Sequence, residues 1–384
     1  MSVVALAIDA LLPALDVIGI QIGTRQVADN QLLITMIFLG LGVGPLAWGP
    51  LSDSMGRKPV VYMGFAIFLI ASAICVNAES LEMMLFGRIL QGIGLSSPRT
   101  ISISIIRDRY SGDYMARMMS FVTVVFILVP IIAPALGKWI LDDYGWKGIF
   151  YAQVVFSAAV ILWFWRRQRE TLQPADRIPF EGKILINGFK EVLYNKDAMG
   201  YTLISGFIVG SFLVYLSGSQ QIFQDHYGLK EEFPYIFAGL AFSVGAAIFL
   251  NGTLVLRLGM KRLVTLALFG FSLISLAYIL FYADGSKPDV SILVGFFAIQ
   301  FFAIGFLFGN LRALAMEPMG HIAGIAAAIT GLISTLMAVP ISTWIGRYIE
   351  HSALPVFIGF FLCSLIAIGI LFWISSGKKV KSTP

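Results

Sequence analysis

Of the 384 residues, 58% are hydrophobic and only 13% are charged, and the formal net charge is +5. Soluble domains carry about 25% charged and about 45–50% apolar residues, so this composition excludes a water-soluble enzyme, a disordered chain and a small secreted scaffold. Cys75 and Cys363 lie inside apolar runs and supply neither a disulfide framework nor a metal box.

A membrane-crossing helix takes about 20 residues, and twelve apolar runs of that order follow one another. They cover 1–22, 31–52, 60–78, 83–106, 115–141, 146–165, 198–224, 234–256, 262–283, 290–312, 322–347 and 354–376, and are called spans one to twelve below. Each is too long and continuous for a barrel strand, so an all-α membrane protein is expected, with two six-span bundles, 1–165 and 198–377. The first residues lack the basic lead and cleavage site of a signal peptide and are expected to remain as span one.

With the start of the chain on the cytoplasmic side, 19 of the 27 Lys and Arg fall in inward loops and 6 in outward ones. The positive-inside rule then puts both termini in the cytoplasm, including a basic tail at 378–384. The excess basic charge is thereby explained by membrane topology, and no nucleic-acid partner is expected. The connection 166–197 separates the two bundles. Its second part sets Phe180, Ile184, Leu185, Phe189, Val192 and Leu193 among Lys183, Lys190, Glu191 and Lys196, a near-helical spacing that suits an interfacial helix on the inner leaflet; a solvated linker is the alternative.

The two halves echo each other. The stretch Gly49–Pro59 after span two and the stretch Gly252–Arg262 after span eight coincide at Gly, Leu, Gly and Lys with an offset of 203. Such a repeat suits a transporter.

Ionisable groups inside spans are costly and functional by default. Asp9, Asp16, Arg88 and Arg99 stand out, all in the first half. Asp9 and Asp16 are seven residues apart, which puts them on one helix face about 10 Å apart. If span one fills 1–22, Asp9 lies level with Arg99. If it ends near Asp16, with Gly19, Gly23 and Thr24 as a frayed connection, Asp9 lies near Arg88; this second arrangement is preferred, with an Asp9–Arg88 pair. Pro13 has no N–H and frees the carbonyl of Asp9. A static ion pair, or Asp9 capping a broken helix, is the competing reading.

Several stretches carry a family resemblance. Gly49-Pro50-Leu51-Ser52-Asp53-Ser54-Met55-Gly56-Arg57-Lys58-Pro59 resembles the loop 2–3 signature of the major facilitator superfamily, and Arg88-Ile89-Leu90-Gln91-Gly92 resembles its fourth-helix motif. Val129-Pro130-Ile131-Ile132-Ala133-Pro134-Ala135-Leu136-Gly137 is similar to the fifth-helix motif of its drug:proton antiporters, with Lys138 where a second Gly is usual. Ile8-Asp9 through Pro13-Ala14-Leu15, Arg107-Asp108, and Ala315-Met316-Glu317-Pro318 with Ala323-Gly324 resemble the Bcr/CflA drug-resistance efflux branch.

The resemblance implies the major facilitator fold, a bacterial inner-membrane location, a monomer, and proton-coupled efflux of small amphipathic drugs or metabolites. Protons are the coupling ion and no other cofactor is implied. Asp9 and Arg88 then carry the proton; Gly49, Asp53, Gly56, Arg57 and Lys58 form a cytoplasmic gate motif; Pro130, Pro134 and Gly137 bend the antiporter helix. Cavity or substrate candidates are Asp16, Gln91 and Arg99 in the first half and Tyr215, Gln220, Gln300, Phe301 and Asn310 in the second. Proton-driven uptake by the same fold is the alternative function. A membrane enzyme would need a catalytic cluster, and none appears; His226, His321 and His351 lie far apart in sequence, which argues against a metal site.

Overall fold

A computed structural model describes residues 2–110, 112–179, 182–349 and 352–376. Phe180, at the start of the expected linker helix, and the basic tail 378–384 lie outside them. Each of the twelve apolar runs falls on helix, and no strand occurs among the described residues. Nine stretches of these residues are long and apolar enough to cross a membrane, two of them (Leu128–Arg167 and Val290–Gly346) each running through parts of two expected spans.

Span one is two helices, Ser2–Asp9 and Leu15–Ile22, with a 3-10 turn at Leu12–Ala14 between them. The second piece ends at Gly23, whose φ of 70° closes it in the left-handed conformation. The expectation that span one ends near Asp16 is therefore corrected. Gly19 is a helical residue packed against Asn30, and only the chain after Ile22 turns. Span two is also divided, into Leu32–Val43 and Pro45–Met55. Spans three and four are continuous, Arg57–Val76 and Leu81–Arg109. Spans five and six lie within Gly112–Arg167 and turn at Gly145, φ 72°.

A linker helix, Gly182–Tyr194, leads to span seven, Lys196–Gln220, which widens into a π-helical turn at Gln221–His226. Spans eight, nine and ten are Phe233–Leu258, Met260–Tyr282 and Val290–Met316. A 3-10 segment, Glu317–Ile322, precedes span eleven, Ala323–Gly346, and span twelve is Leu354–Ser376.

The chain divides into two compact units, Met1–Lys183 with Lys230–Ala238, and Ile184–Leu229 with Gly239–Pro384. In the first unit span four is the axis, with spans two and three packed along it. Its polar residues Arg88, Gln91, Ser96 and Ser97 are buried there, which explains why this helix is absent from the lipid-compatible stretches. In the second unit span seven is the axis, packed against spans ten, eleven and twelve.

Apolar burial cannot hold two helices together when lipid is as apolar as the side chains, so close backbone contact does that work. A Cβ on Gly40 would lie 2.1 Å from the Ile89 carbonyl oxygen, and one on Gly92 would lie 2.1 Å from that of Ile37. The two glycines let spans two and four touch backbone to backbone. In the second unit Gly206 and Gly210 take Met337 and Ile341 of span eleven, while Gly309 meets nothing. Replacing Gly40 by Ala should therefore cost about 1–3 kcal/mol by overpacking, read as a lower thermal midpoint. Gly239→Ala, where the space is open, should not lower it.

Candidate functional site

The break in span one follows from its sequence. Pro13 cannot donate to the carbonyl of Asp9, and the helix gives way to the 3-10 turn. Ala10 N–H still reaches the Leu6 carbonyl at 3.2 Å, and Ala14 N–H reaches that of Leu11 at 2.9 Å. The Ala7 carbonyl, which a continuing helix would offer to Leu11, is taken by Arg88 instead: both Nη1 and Nη2 donate to it at 3.1 Å.

Arg88 is fully buried and uses its other donors as fully. Nε donates to the Leu33 carbonyl of span two at 2.8 Å, and Nη1 to Gln91 Oε1 at 2.7 Å. Gln91 Nε2 donates to Ser72 Oγ of span three at 2.8 Å, and the Ser72 hydroxyl in turn donates a hydrogen bond to the Phe68 carbonyl. One guanidinium thus ties spans one to four together. Gly137 of span five completes the surroundings, since a Cβ there would lie 2.0 Å from the Ala10 carbonyl oxygen. Gly137 is therefore the residue that lets span five touch the break. Pro130 and Pro134 sit inside the same helix, about two turns and one turn earlier.

Asp9 ends the first helical piece at this break, with 5% of its surface exposed. The expected Asp9–Arg88 pair is corrected: among the described residues Asp9 makes no ion pair and accepts no hydrogen bond. Arg88 meets span one at the carbonyl two residues earlier. The reason is geometric. A broken helix presents unsatisfied carbonyl oxygens, and a planar five-donor group is satisfied by them without a carboxylate.

The other first-half candidates separate. Asp16 accepts from Asn30 Nδ2 at 3.2 Å, and Thr24 Oγ1 donates to Asn30 Oδ1 at 3.0 Å, so Asp16 belongs to a clasp across the turn between spans one and two. Arg99 is half-buried, three turns along span four from Arg88.

In the second unit, the Tyr215 ring lies 4.5 Å from Phe301 and 5.0 Å from Phe297, and Phe212 meets Phe301 and Phe308 at 5.7 and 5.4 Å. Tyr215 and Phe301 are thus one aromatic cluster, to which sequence reasoning did not assign Phe212, Phe297 or Phe308. Gln300 instead turns to span nine, donating to Ser275 Oγ and the Phe271 carbonyl. Asn310 turns to span eight, donating to Asn251 Oδ1 at 2.7 Å. Gln220 Nε2 donates to Gln224 Oε1 at 3.3 Å where span seven widens into its π-helical turn. The second-half candidates are therefore spread over several packing contacts rather than gathered at one point.

The loop after span two forms a separate ionic cluster. Gly56 has φ 105°, which favours glycine, and turns the chain so that Arg57 Nη1 donates to Asp53 Oδ1 and Ser52 Oγ. Arg57 also grips Asp108 at the end of span four with Nε at 2.9 Å and Nη2 at 3.3 Å. Glu170, which sequence reasoning missed, accepts from the backbone N–H groups of Arg57 and Lys58 at 3.0 and 2.9 Å, capping the first turn of span three. Its neighbour Thr171 donates to Asp108 at 2.9 Å. Gly49 stands in open space. No local pattern announces Glu170 as a cap, because the N–H groups it caps on span three are more than a hundred residues away.

Burial raises the Asp108 carboxyl, but hydrogen bonds from Arg57 and Thr171 and the charges of Arg57 and Arg107 outweigh it and hold the group below the usual carboxylate range. Burial likewise raises Glu170, and the N–H groups of Lys58, Leu172, Arg57 and Thr171 overcome it. Depressed carboxyls add stability above their unfolded values and lose it as pH falls through the folded ones. Glu170→Gln should thus lower the thermal midpoint at pH 7, and the gap to the parent protein should close only below about pH 4. At the buried hub, Arg88→Ala strands two carbonyls and Gln91 and should cost about 2–4 kcal/mol, measured by thermal unfolding in detergent; Arg88→Lys should recover part of it.

Comparison with known proteins agrees with this architecture. The family model for the Major Facilitator Superfamily matches residues 1–339. The chain is similar to an uncharacterized MFS-type transporter, YdgK, of Bacillus subtilis, at 29% identity over 85% of this chain and 81% of that one. It is also similar to a bicyclomycin resistance protein homolog of Haemophilus influenzae, at 26% identity over 92% of this chain and 88% of that one. Among solved structures it shares its fold with a D-xylose–proton symporter, with a TM-score of 0.71 at 14% identity, over 95% of this chain and 94% of that one.

Proposed function

The chain belongs to the major facilitator superfamily and is a multi-pass membrane transporter rather than an enzyme, and from that premise we propose that it is a proton-coupled exporter of small amphipathic antimicrobials or metabolites. It works by alternating access in the bacterial inner membrane, as a monomer, with both termini cytoplasmic. The bicyclomycin resistance relative supports the direction and the kind of cargo. The aromatic side chains gathered in the second unit around the buried Tyr215 and Phe301, with Phe212 and Phe308 half-buried beside them, support an amphipathic ligand over a sugar.

The observation that carries the coupling is Asp9. A carboxylate buried without a hydrogen-bond partner is among the costliest groups a membrane protein can hold. Binding a proton removes that cost, and so does binding a cationic ligand, but one carboxyl group cannot hold both. Competition for it makes the two movements exclusive and opposite. A one-for-one exchange of a proton for a monovalent cation moves no net charge and is driven by the pH gradient; with an uncharged cargo the proton's charge adds about 2.3 kcal/mol per 100 mV of membrane potential. Arg88, held by carbonyl oxygens, fixes the frame in which Asp9 exchanges its occupants.

In everted vesicles, adding substrate to an energised membrane should release protons from the lumen. Asp9→Asn should abolish that release, at least tenfold, while its membrane level stays near that of the parent. Proton movement with the opposite sign would identify uptake symport instead, and an active Asp9→Asn would end the proposed coupling.

A further inference from the structure

The linker helix Gly182–Tyr194 is the most one-sided helix of the described residues. One of its arcs is occupied by the second unit. Gly188 and Val192 are buried and Leu185 and Phe189 are half-buried. A Cβ on Gly188 would come within 2.7 Å of Ile325 at the start of span eleven, and Glu191 Oε1 meets His321 Nε2 at 2.6 Å.

A second arc has no protein partner among the described residues. Ile186 and Leu193, seven residues apart and so on one face, are 57% and 51% exposed. Lys183 and Lys190 are also seven apart, both exposed, and lie on the adjoining arc. Neither lysine forms an ion pair among the described residues. The one acidic residue of the helix, Glu191, is engaged by His321. The uncovered side therefore joins two large aliphatic side chains to two cations without an ion-pair partner among the described residues.

In chain order the helix also lies between the end of span six and the start of span seven, both apolar enough to cross a membrane. We propose that the Ile186/Leu193 edge enters the acyl boundary of the adjacent leaflet and that Lys183 and Lys190 select anionic phospholipid headgroups. Lysine stems lie along apolar surface while their ammonium groups reach the phosphates, and an anionic surface attracts each basic residue near it. Ordinary amphipathic insertion needs only the aliphatic edge; the paired lysines make the site choose its lipid.

The test uses the full chain in liposomes, labelled with an environment-sensitive fluorophore at Ile186→Cys; Cys75 and Cys363 are buried. The bilayer is an equal mixture of phosphatidylglycerol and phosphatidylcholine, with bromine on the acyl chains of one or the other. Brominated phosphatidylglycerol should quench about threefold more than brominated phosphatidylcholine. With Lys183→Gln and Lys190→Gln together, at an unchanged thermal midpoint, quenching by the two lipids should become equal. Should that double variant fail to fold, raising salt from about 0.05 to about 0.5 M should remove the preference of the lysine-bearing protein. Equal quenching by both lipids in the lysine-bearing protein overturns the selection, as does a preference that survives both the substitution and the salt. No quenching by either lipid overturns the docking itself. None of these readouts depends on transport.

Discussion

A guanidinium buried in a membrane protein must be solvated by the protein, and the first unit solves this with backbone oxygen. Arg88 takes the Ala7 carbonyl twice and the Leu33 carbonyl once, and completes itself with Gln91. The Ala7 carbonyl is free to accept because Pro13 breaks span one; the break in turn is tolerable because Arg88 and Gly137 close around it. Break and cation are thus mutually dependent, and spans one to four converge on them. The consequence for chemistry is indirect but large. An arginine satisfied by carbonyls does not need a carboxylate, so Asp9 is left uncommitted at the same level of the helix.

The remaining features serve that arrangement at a distance. Backbone contact through Gly40 and Gly92 fixes span two against span four, and so fixes where the Leu33 carbonyl meets Arg88. At the far end of the same helix, Asp108 receives Arg57, and Glu170 caps the start of span three. The ends of spans two, three, four and six are thereby joined in one ionic knot, while their middles are joined at Arg88. Both devices are built from one arginine with several acceptors, the geometry in which a planar guanidinium has its advantage over an ammonium.

Much of this was legible in the sequence. The apolar runs gave the helices, because lipid demands continuous apolar length. Pro13 announced the break, and Arg88 with Gln91 announced a polar centre in span four. What pattern could not supply was the choice of partner. Opposite charges suggested an Asp9–Arg88 pair, but a broken backbone is as good an acceptor as a carboxylate and leaves no mark in a residue alphabet. The length of span one was misjudged because Gly19 and Gly23 look alike on the page. Gly19 is small to admit Asn30, whereas Gly23 alone has the positive φ. Glu170 was invisible because the N–H groups it caps on span three lie more than a hundred residues away, and no local pattern tells that Gln300 bonds across to span nine and Asn310 to span eight.

The account turns on a single carboxyl group that is either protonated or occupied by cargo. Infrared difference spectroscopy on the purified protein in lipid observes that group directly. Substrate addition should remove a protonated-carboxyl band that is missing altogether in Asp9→Asn. A band that persists unchanged when substrate binds, or that is still present in Asp9→Asn, would contradict the exchange at residue 9.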